Sequence, residues 1–405
     1  MHIVLAPVGT RGDVEPLLQL NDALRARGHV CSLAAPRNFA ALAEREGLRF
    51  TSLGAGFDEL ARGTHNEMVV VRAFLRTLRD QYDGLMRATE GADVIVGAMM
   101  CFAGPSVARV RGVPWVYAGF SPHYLRSRLM VPGGLPFRSM PPWMLGIFNA
   151  FQDRFVSLGL RPWIAEERRL GFAAPDGVWP HLALNGELLL AYDEELLTTP
   201  ADATGRLNQV GVLRRDNTSV PLSPELAAFL DAGARPVYLG FGSMSHRDPR
   251  ELMTLLLGSV ARTGVRAVIN AGWSGLVATD PPPSVLVVPH VPHDALFPRC
   301  AGVVHHGGAG TLHAAALAGV PQAIVHHWAD QIHHGWRVES LGIGPGPTTI
   351  GRLDGRWLDA TLTAFTSPGA MHERAQALGA RMRPRLDGGE RAAEIVERAV
   401  ARQLA

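Results

Sequence analysis

The sequence predicts an α/β protein of two successive domains, each a doubly wound parallel sheet with helices on both faces. Short apolar runs alternate with helical segments from residue 2 to residue 117, an order typical of a parallel sheet. The alternation resumes at residue 236, after the polar, turn-rich segment 214–224. The predicted parts are an N-terminal domain (1–213), a linker (214–235), a C-terminal domain (236–385) and a final helix (386–405).

A glycine-containing turn follows the first predicted strand, residues 2–6. This turn, Gly9-Thr10-Arg11-Gly12-Asp13, leads into a helix from about Val14 to Arg27. Asp13 is a candidate N-cap, because Asp accepts hydrogen bonds from free backbone amides. It is equally a candidate general base, because a carboxylate held near a hydroxyl can take its proton.

The stretch 121–180 departs from the regular alternation and is rich in proline, methionine and large aromatic residues. Its spacing fits neither one strand nor one helix. Two interpretations remain open: ordinary core beneath long loops, or the lining of a pocket for a bulky apolar ligand.

In the C-terminal domain, the apolar run 301–304 breaks into a glycine-rich turn and then a helix. The segment His305-His306-Gly307-Gly308-Ala309-Gly310-Thr311 therefore reads as strand, turn and helix start. A helix N-terminus attracts anions, and glycine allows a phosphate to approach the backbone. We predict a phosphate or pyrophosphate site with His305 and Thr311 as donors; the alternative is a tight connection with Thr311 as N-cap.

Composition excludes several functions. A net charge of +2 gives no reason to expect a nucleic-acid partner. All 39 basic residues are arginine, which excludes P-loop and Schiff-base lysines. The segment Gly240-Phe241-Gly242-Ser243 falls short of a dinucleotide fingerprint, although Ser243 could still meet a phosphate.

Seven of the 16 histidines lie between His305 and His334. Zinc sites need three or four converging ligands, and no H-E-x-x-H pattern is present, so we predict no metal site. The pair Asp330-Gln331 follows a strand and opens a helix, and its acceptors and amide donor suit sugar hydroxyls.

The N-terminus enters a strand without a basic leader, and no apolar run approaches the roughly 20 residues that span a bilayer. Cys31, Cys101 and Cys300 are widely spaced, which indicates buried free thiols rather than disulfides. We therefore expect a cytoplasmic protein without an integral membrane segment.

Five motifs together resemble the GT-B glycosyltransferases, specifically the UDP-glycosyltransferase-like family of antibiotic and sterol glycosyltransferases. They span both halves of the chain in the family's order, and the five in register are more specific than any one alone. The motifs are Gly9 to Pro16, Phe241-Gly242-Ser243, Val288 to Phe297, His305 to Thr311, and Trp328 to Gln331.

The resemblance implies two Rossmann-like domains facing across a cleft, with the C-terminal helix crossing back to the first domain. It implies inverting, metal-independent transfer of a hexose from a UDP- or dTDP-sugar, without a cofactor, to a hydroxyl of a hydrophobic small-molecule acceptor. Asp13 would be the base. The donor-site residues that it implies are His305, Gly308, Gly310, Thr311, Ser243 and Thr10 for the diphosphate, Val291, His290 and Trp273 for the nucleobase, and Asp330 and Gln331 for the sugar.

Two alternatives to a transferase remain open at this stage. A sugar-nucleotide epimerase of the same fold would consume donor without an acceptor. A non-catalytic accessory protein would bind nucleotide sugar without turnover.

Overall fold

The structure is a computed structural model that describes residues 1–60, 67–215, 220–242, 248–271, 280–289 and 291–404. Two all-parallel sheets, one of seven strands and one of six, organise these residues. The predicted fold class of two doubly wound α/β domains is therefore confirmed.

The N-terminal sheet has the strand order β3-β2-β1-β4-β5-β6-β7. Its strands are β1 (His2–Val8), β2 (Val30–Ala35), β3 (Arg49–Ser52), β4 (Val94–Met99), β5 (Trp115–Gly119), β6 (Glu187–Leu190) and β7 (Arg206–Gln209). Its helices are α1 (Arg11–Ala26), α2 (Ala40–Arg45), α3 (Phe57–Leu60), α4 (Glu67–Arg76), α5 (Leu78–Ala88), α6 (Gly104–Arg111), α7 (Pro142–Gly159), α8 (Arg161–Arg169) and α9 (Val178–Leu184).

The second sheet has the order β10-β9-β8-β11-β12-β13. Its strands are β8 (Val237–Gly240), β9 (Ala267–Asn270), β10 (Val285–Val288), β11 (Gly302–His305), β12 (Gln322–His326) and β13 (Thr348–Thr349). The remaining helices are α10 (Pro224–Asp231), α11 (Pro249–Thr263), α12 (His293–Leu296), α13 (Ala309–Ala318), α14 (Gln331–Ser340), α15 (Gly355–Thr366), α16 (Ala370–Met382) and α17 (Gly388–Leu404).

Each sheet has one point where the strand order reverses direction. In the N-terminal sheet β1 lies between β2 and β4, and in the second sheet β8 and β11 are neighbours. Open α/β sheets bind ligands at the carboxyl ends of the strands at such a point. A ligand site is therefore expected at the turns that follow β1, β8 and β11.

The segment expected to be a linker contains a helix. Ser223 caps α10 by accepting from the Leu226 amide, and Leu226 and Leu230 pack into a core with Val268 and Val288. Helix α10 therefore belongs to the packing of the C-terminal domain. The turn-rich composition of 214–224 concealed it, because the helix begins only at its end.

Helix α17 packs on the N-terminal domain although it follows the C-terminal one. Its apolar residues recur every three or four positions and form one face. That face joins the core beneath α1 and the first sheet; its members are Ala392, Ala393, Ile395, Val396, Ala399 and Val400. The chain therefore returns from the C-terminal domain and ends in the core of the N-terminal domain.

The two domains also meet directly at the cleft. The Asp193 amide donates to His313 Nε2 at 3.1 Å, and the Arg337 side chain donates to the Leu196 carbonyl at 2.7 Å. All three cysteines are free and buried, as predicted. Within the described residues, no helix is long and apolar enough to cross a membrane.

Candidate active site

Asp13 occupies the third position of α1, immediately beyond the switch point of the first sheet. The N-cap is Thr10; the prediction that Asp13 is the cap is therefore wrong. Asp13 Oδ2 accepts from the Thr10 amide at 2.7 Å and from the Thr10 hydroxyl at 3.1 Å. A capping box of this kind satisfies a helix terminus and fixes the carboxylate's direction.

Gly9 is required for this arrangement. A Cβ at position 9 would lie 2.2 Å from Asp13 Oδ2, closer than two non-bonded atoms can approach. The backbone therefore passes directly beside the carboxylate, and only glycine fits there.

The pKa of Asp13 is raised to about 6. Burial is the main cause, because it disfavours the charged form. The negative charge of Asp330 raises the pKa further, whereas the hydrogen bonds from Thr10 lower it. A carboxylate with such a pKa is ionised at neutral pH and is a stronger base than an ordinary Asp.

The glycine-rich turn after β11 leaves backbone amides free at the start of α13. Gly308 is the N-cap, and the Leu312 amide is the first to donate to it, at 2.9 Å. The amides of Ala309, Gly310 and Thr311 precede that bond and have no partner within the helix. Thr311 is thus the third helical residue, not the N-cap, and the turn offers amides and a helix dipole to an anion.

His305 is fully buried, and both its ring nitrogens are used within the protein. Nε2 lies 2.9 Å from Gln322 Oε1, and Nδ1 accepts from the Gly307 amide at 3.1 Å. Burial lowers its pKa to about 3, so the ring is neutral. The structure therefore corrects the expectation that His305 donates to a diphosphate: its side chain holds the turn together and has no free donor for a ligand.

His306 is the residue that sequence reasoning missed. A Cβ on Gly308 would lie 2.4 Å from His306 Nε2, and a Cβ on Gly242 would lie 2.7 Å from its Cε1. The ring is therefore wedged between the two glycine turns that follow β8 and β11. Its Nδ1 is buried and has no hydrogen-bond partner among the described residues. Strand alternation could have indicated opposite directions for His305 and His306, but not which direction leads to a ligand.

Asp330 is the N-cap residue of α14 and lies at the contact between the domains. Its Oδ2 is 3.4 Å from His334 Nε2. Burial is the main cause of the raised pKa of Tyr124, in the N-terminal domain, and the negative charge of Asp330 raises it further. Gly133 also approaches closely, since a Cβ there would lie 3.4 Å from Asp330 Cβ. The loop around 121–135 thus packs against this carboxylate.

The Gln331 side chain forms its hydrogen bonds within its own loop. Its Oε1 accepts from the amides of His327 at 2.8 Å and Trp328 at 3.3 Å, and the residue is buried. The amide oxygen is therefore already committed, which leaves the NH₂ group as the part that could meet a sugar hydroxyl.

Of the three residues predicted to hold the nucleobase, the structure describes only Val291. The Val291 side chain is buried in a core with Val288 and Phe297, so only its backbone could read a base. Trp273, His290 and Ser243 lie outside the described residues.

The aromatic residues of 121–180 divide between core and surface. Trp163 is fully buried, whereas Trp143 is 67% exposed, Ile147 63% and Phe151 61%. These three exposed residues recur every fourth position and form one face of α7. A groove of about 480 Å³ lies there, lined by Arg128, Pro142, Trp143, Gly146, Ile147 and Ala150. The stretch therefore contributes to the core and also exposes an apolar groove, and the interpretation that it lines a ligand pocket stays a prediction.

The histidine-rich segment does not gather into a metal centre. Among the described residues, no group of three or more His, Cys, Asp or Glu side chains is arranged to hold a metal ion. His305, His313 and His334 instead make hydrogen bonds within the turn and across the domain contact.

Two family profiles match the chain, one in each half. The glycosyltransferase family 28 N-terminal domain matches residues 3–129, and the erythromycin biosynthesis protein CIII-like C-terminal domain matches residues 255–401. Together they cover the first switch point and the glycine-rich turn after β11.

Similar sequences and structures agree with the profiles. Glycosyltransferase GtfE and the vancomycin aglycone glucosyltransferase, both of Amycolatopsis orientalis, are each 32% identical over 100% of this chain and 98% of theirs. Sterol 3-beta-glucosyltransferase UGT80A2 of Arabidopsis thaliana is 32% identical over 86% of this chain and 58% of its own.

The solved glycotransferase of kitacinnamycin superposes with a TM-score of 0.75 at 21% identity, over 98% of this chain and 99% of that one. Glycosyltransferase VinC in complex with dTDP has a TM-score of 0.70 at 20% identity, over 99% and 100%.

Proposed function

The chain belongs to the glycosyltransferase family of antibiotic and sterol type, and we propose that it is an inverting, metal-independent enzyme that moves a hexose from a UDP- or dTDP-sugar to a hydroxyl of a bulky apolar acceptor. One observation carries this proposal: the turns at the two switch points have opposite chemistry. The first presents the Asp13 carboxylate, and the second presents the free amides of α13. A base and an anion site on the two sides of one cleft are what sugar transfer needs.

Asp13 takes the proton of the acceptor hydroxyl as the hydroxyl oxygen bonds to the anomeric carbon. The bond from that carbon to the donor's phosphate oxygen breaks at the same time, and the nucleoside diphosphate leaves with the electron pair. Amides fixed at the start of α13 stabilise the charge that develops on the leaving oxygen. Attack opposite the leaving group inverts the anomeric centre.

We propose Gly308, Gly310 and Thr311 as the core of the diphosphate site. Two similar structures contain thymidine diphosphate: VinC in complex with dTDP and SsfS6 of Streptomyces complexed with thymidine diphosphate. His306 joins the site as a side-chain donor, since its ring lies against Gly308. Thr10 and Ser243 complete this proposed set.

The rest of the donor would extend to the loops after β10 and β12. Val291, by its backbone, with His290 and Trp273, would hold the nucleobase. Asp330 and the Gln331 NH₂ group would hold the sugar hydroxyls, because a carboxylate accepts from several hydroxyls at once.

The acceptor class rests on the exposed face of α7. The Ser127 carbonyl accepts from Asn149 of this helix at 2.8 Å, and Ser127 belongs to the same loop as Gly134, whose amide donates to the Ala329 carbonyl, next to Asp330, at 3.0 Å. The apolar groove is therefore connected to the loop that packs on the proposed sugar site. An acceptor with a large apolar surface would bury part of that face.

The test is intact-mass analysis of a panel of sterol, glycopeptide-aglycone and macrolide acceptors incubated with UDP-glucose or dTDP-glucose. The expected result is an acceptor heavier by one hexose, with release of the nucleoside diphosphate and no requirement for added metal in the presence of a chelator. Conversion of the donor to an isomer without an acceptor would instead indicate an epimerase. Nucleotide binding without turnover would indicate an accessory protein.

A further inference from the structure

His334 lies in the first turn of α14 and contacts three separate parts of the proposed site. Its side chain is fully buried. Nδ1 is 2.7 Å from the Gly307 carbonyl of the glycine-rich turn. Nε2 is 3.3 Å from Ser121 Oγ of the N-terminal domain and 3.4 Å from Asp330 Oδ2.

The contact with Gly307 acts on the proposed diphosphate site. Gly307 has a φ of +91°, in the left-handed region that favours glycine. Its amide donates to His305 while its carbonyl accepts from His334. The peptide units on both sides of this residue are therefore held by imidazoles, and together they set the direction of the amides that follow.

The contact with Ser121 links the ring to the other domain. Ser121 follows β5, is buried, and accepts from the His123 amide at 3.4 Å. Because a carbonyl only accepts hydrogen bonds, Nδ1 of His334 carries a proton. Nε2 and the Ser121 hydroxyl lie within hydrogen-bonding distance, which ties this nitrogen to the N-terminal domain.

The contact with Asp330 brings the proposed sugar site into the same network. Nε2 lies between the Ser121 hydroxyl and the Asp330 carboxylate. A movement of the N-terminal domain at Ser121 would therefore displace the His334 ring. The same ring lies against Asp330 and donates a hydrogen bond to the Gly307 carbonyl.

We propose that His334 is a positioning residue that aligns the diphosphate turn and Asp330 with the N-terminal domain. This inference rests on the proposed function, since it concerns the geometry of that donor site. The Gly307 bond positions the proposed anion-binding amides, and the Nε2 side aligns Asp330, the proposed sugar-binding carboxylate, with Ser121 of the N-terminal domain. The two nitrogens therefore have separable effects.

Three substitutions separate the two sides of the ring. His334→Asn retains a donor at the place of Nδ1 and loses the Nε2 side. His334→Gln retains a polar group at the place of Nε2 and loses the Gly307 bond. His334→Phe keeps an aromatic ring but loses both nitrogens. Ser121→Ala removes only the Ser121 hydroxyl, which belongs to the N-terminal domain. His372→Asn, in the same domain, is the control. It removes a histidine hydrogen bond to a backbone carbonyl, from Nε2 to Phe365, between residues that are not part of the proposed site.

The measurements are the Kd for UDP and dTDP by calorimetry, and the KM and kcat for the sugar donor. A lost buried hydrogen bond corresponds to a change of roughly tenfold. We expect His334→Gln and His334→Phe to weaken nucleoside diphosphate binding about tenfold. We expect His334→Asn and Ser121→Ala to leave that Kd within about threefold but to reduce kcat/KM about tenfold.

A purely structural role would give a different result. If all four variants lowered the melting temperature but kept Kd, KM and kcat at wild-type values, as expected for His372→Asn, the inference would be wrong. An equal rise in the Kd for nucleoside diphosphate in His334→Asn and His334→Gln would also contradict the inference, because the two nitrogens would then not act separately. If the wild-type protein itself bound neither UDP nor dTDP, the proposed function would fail, and the inference with it.

Discussion

Asp13 and Asp330 act on each other across the two domains: the negative charge of Asp330 contributes to the raised pKa of Asp13. The same charge adds to the raised pKa of Tyr124, also in the N-terminal domain, which burial raises most. The proposed base and the proposed sugar-binding carboxylate therefore share one electrostatic environment. A positively charged anomeric centre forming beside them would be stabilised by both.

The pH dependence of transfer follows from the pKa of Asp13. Only the ionised carboxylate takes a proton, so kcat/KM should fall as the pH drops through about 6. Thr10→Val removes a hydroxyl that stabilises the ionised form, which raises the pKa of Asp13 and moves this limb to higher pH. The measurement is kcat/KM from about pH 5 to about pH 9 for both proteins. A limb that stays in place in Thr10→Val would contradict the assignment.

A methyl group at Gly310 should separate ligand binding from stability. A Cβ at this position meets nothing within 4 Å in the protein, and alanine favours a helix. Gly310→Ala should therefore fold with an equal or higher melting temperature, while a diphosphate placed against this backbone would meet the methyl group. We expect the Kd for UDP or dTDP to rise about tenfold. The same Kd as in the wild type would show that the anion binds elsewhere.

Gly308→Ala is the comparison for that variant. Its Cβ would lie 2.4 Å from His306 Nε2, so the ring has to move. We expect this variant to be less stable and to bind nucleotide more weakly. Differential scanning calorimetry measures the stability, and ligand titration measures the binding.

His306→Leu tests the side-chain donor that replaces His305 in the proposed site. The buried Nδ1 has no partner among the described residues, so its removal orphans no known hydrogen-bonding group. The free energy of unfolding should change by less than about 1 kcal/mol, while nucleoside diphosphate binding weakens about tenfold. Urea unfolding and calorimetry measure the two quantities. Unchanged binding would remove His306 from the diphosphate site.

Alternating apolar runs were sufficient to predict a parallel sheet in each half of the chain, because central strands buried on both faces are continuously apolar. The edge strand β13 (Thr348–Thr349) lacks that signal and was not predicted. The turns at Asp13 and after His305 were also predictable, since glycine followed by helix-forming residues is a local signal. What could not be predicted was side-chain direction within those turns. His305 and His306 are the same residue type in adjacent positions, and only the packing against Gln322 and Gly308 distinguishes them.

Longer-range contacts were also beyond the sequence. Asp330 and Gln331 formed a plausible sugar-binding pair, but the commitment of the Gln331 oxygen to its own loop depends on the path of the chain after β12. His334 is an ordinary helical residue by spacing, and its connection to Ser121 joins positions 213 residues apart. Such a contact depends on how the two domains face each other.

The role of Asp13 as the base is tested most directly by measuring kcat for glycosyl transfer in Asp13→Asn. Asparagine still offers an oxygen to the Thr10 amide, so the start of α1 is retained, and Glu15→Gln on the same helix is the matched control. We expect kcat to fall by about 10² to 10⁴ in Asp13→Asn, with an unchanged Kd for UDP or dTDP, and we expect wild-type activity in Glu15→Gln. A kcat for Asp13→Asn within a few-fold of the wild type would contradict the role of Asp13 as the base.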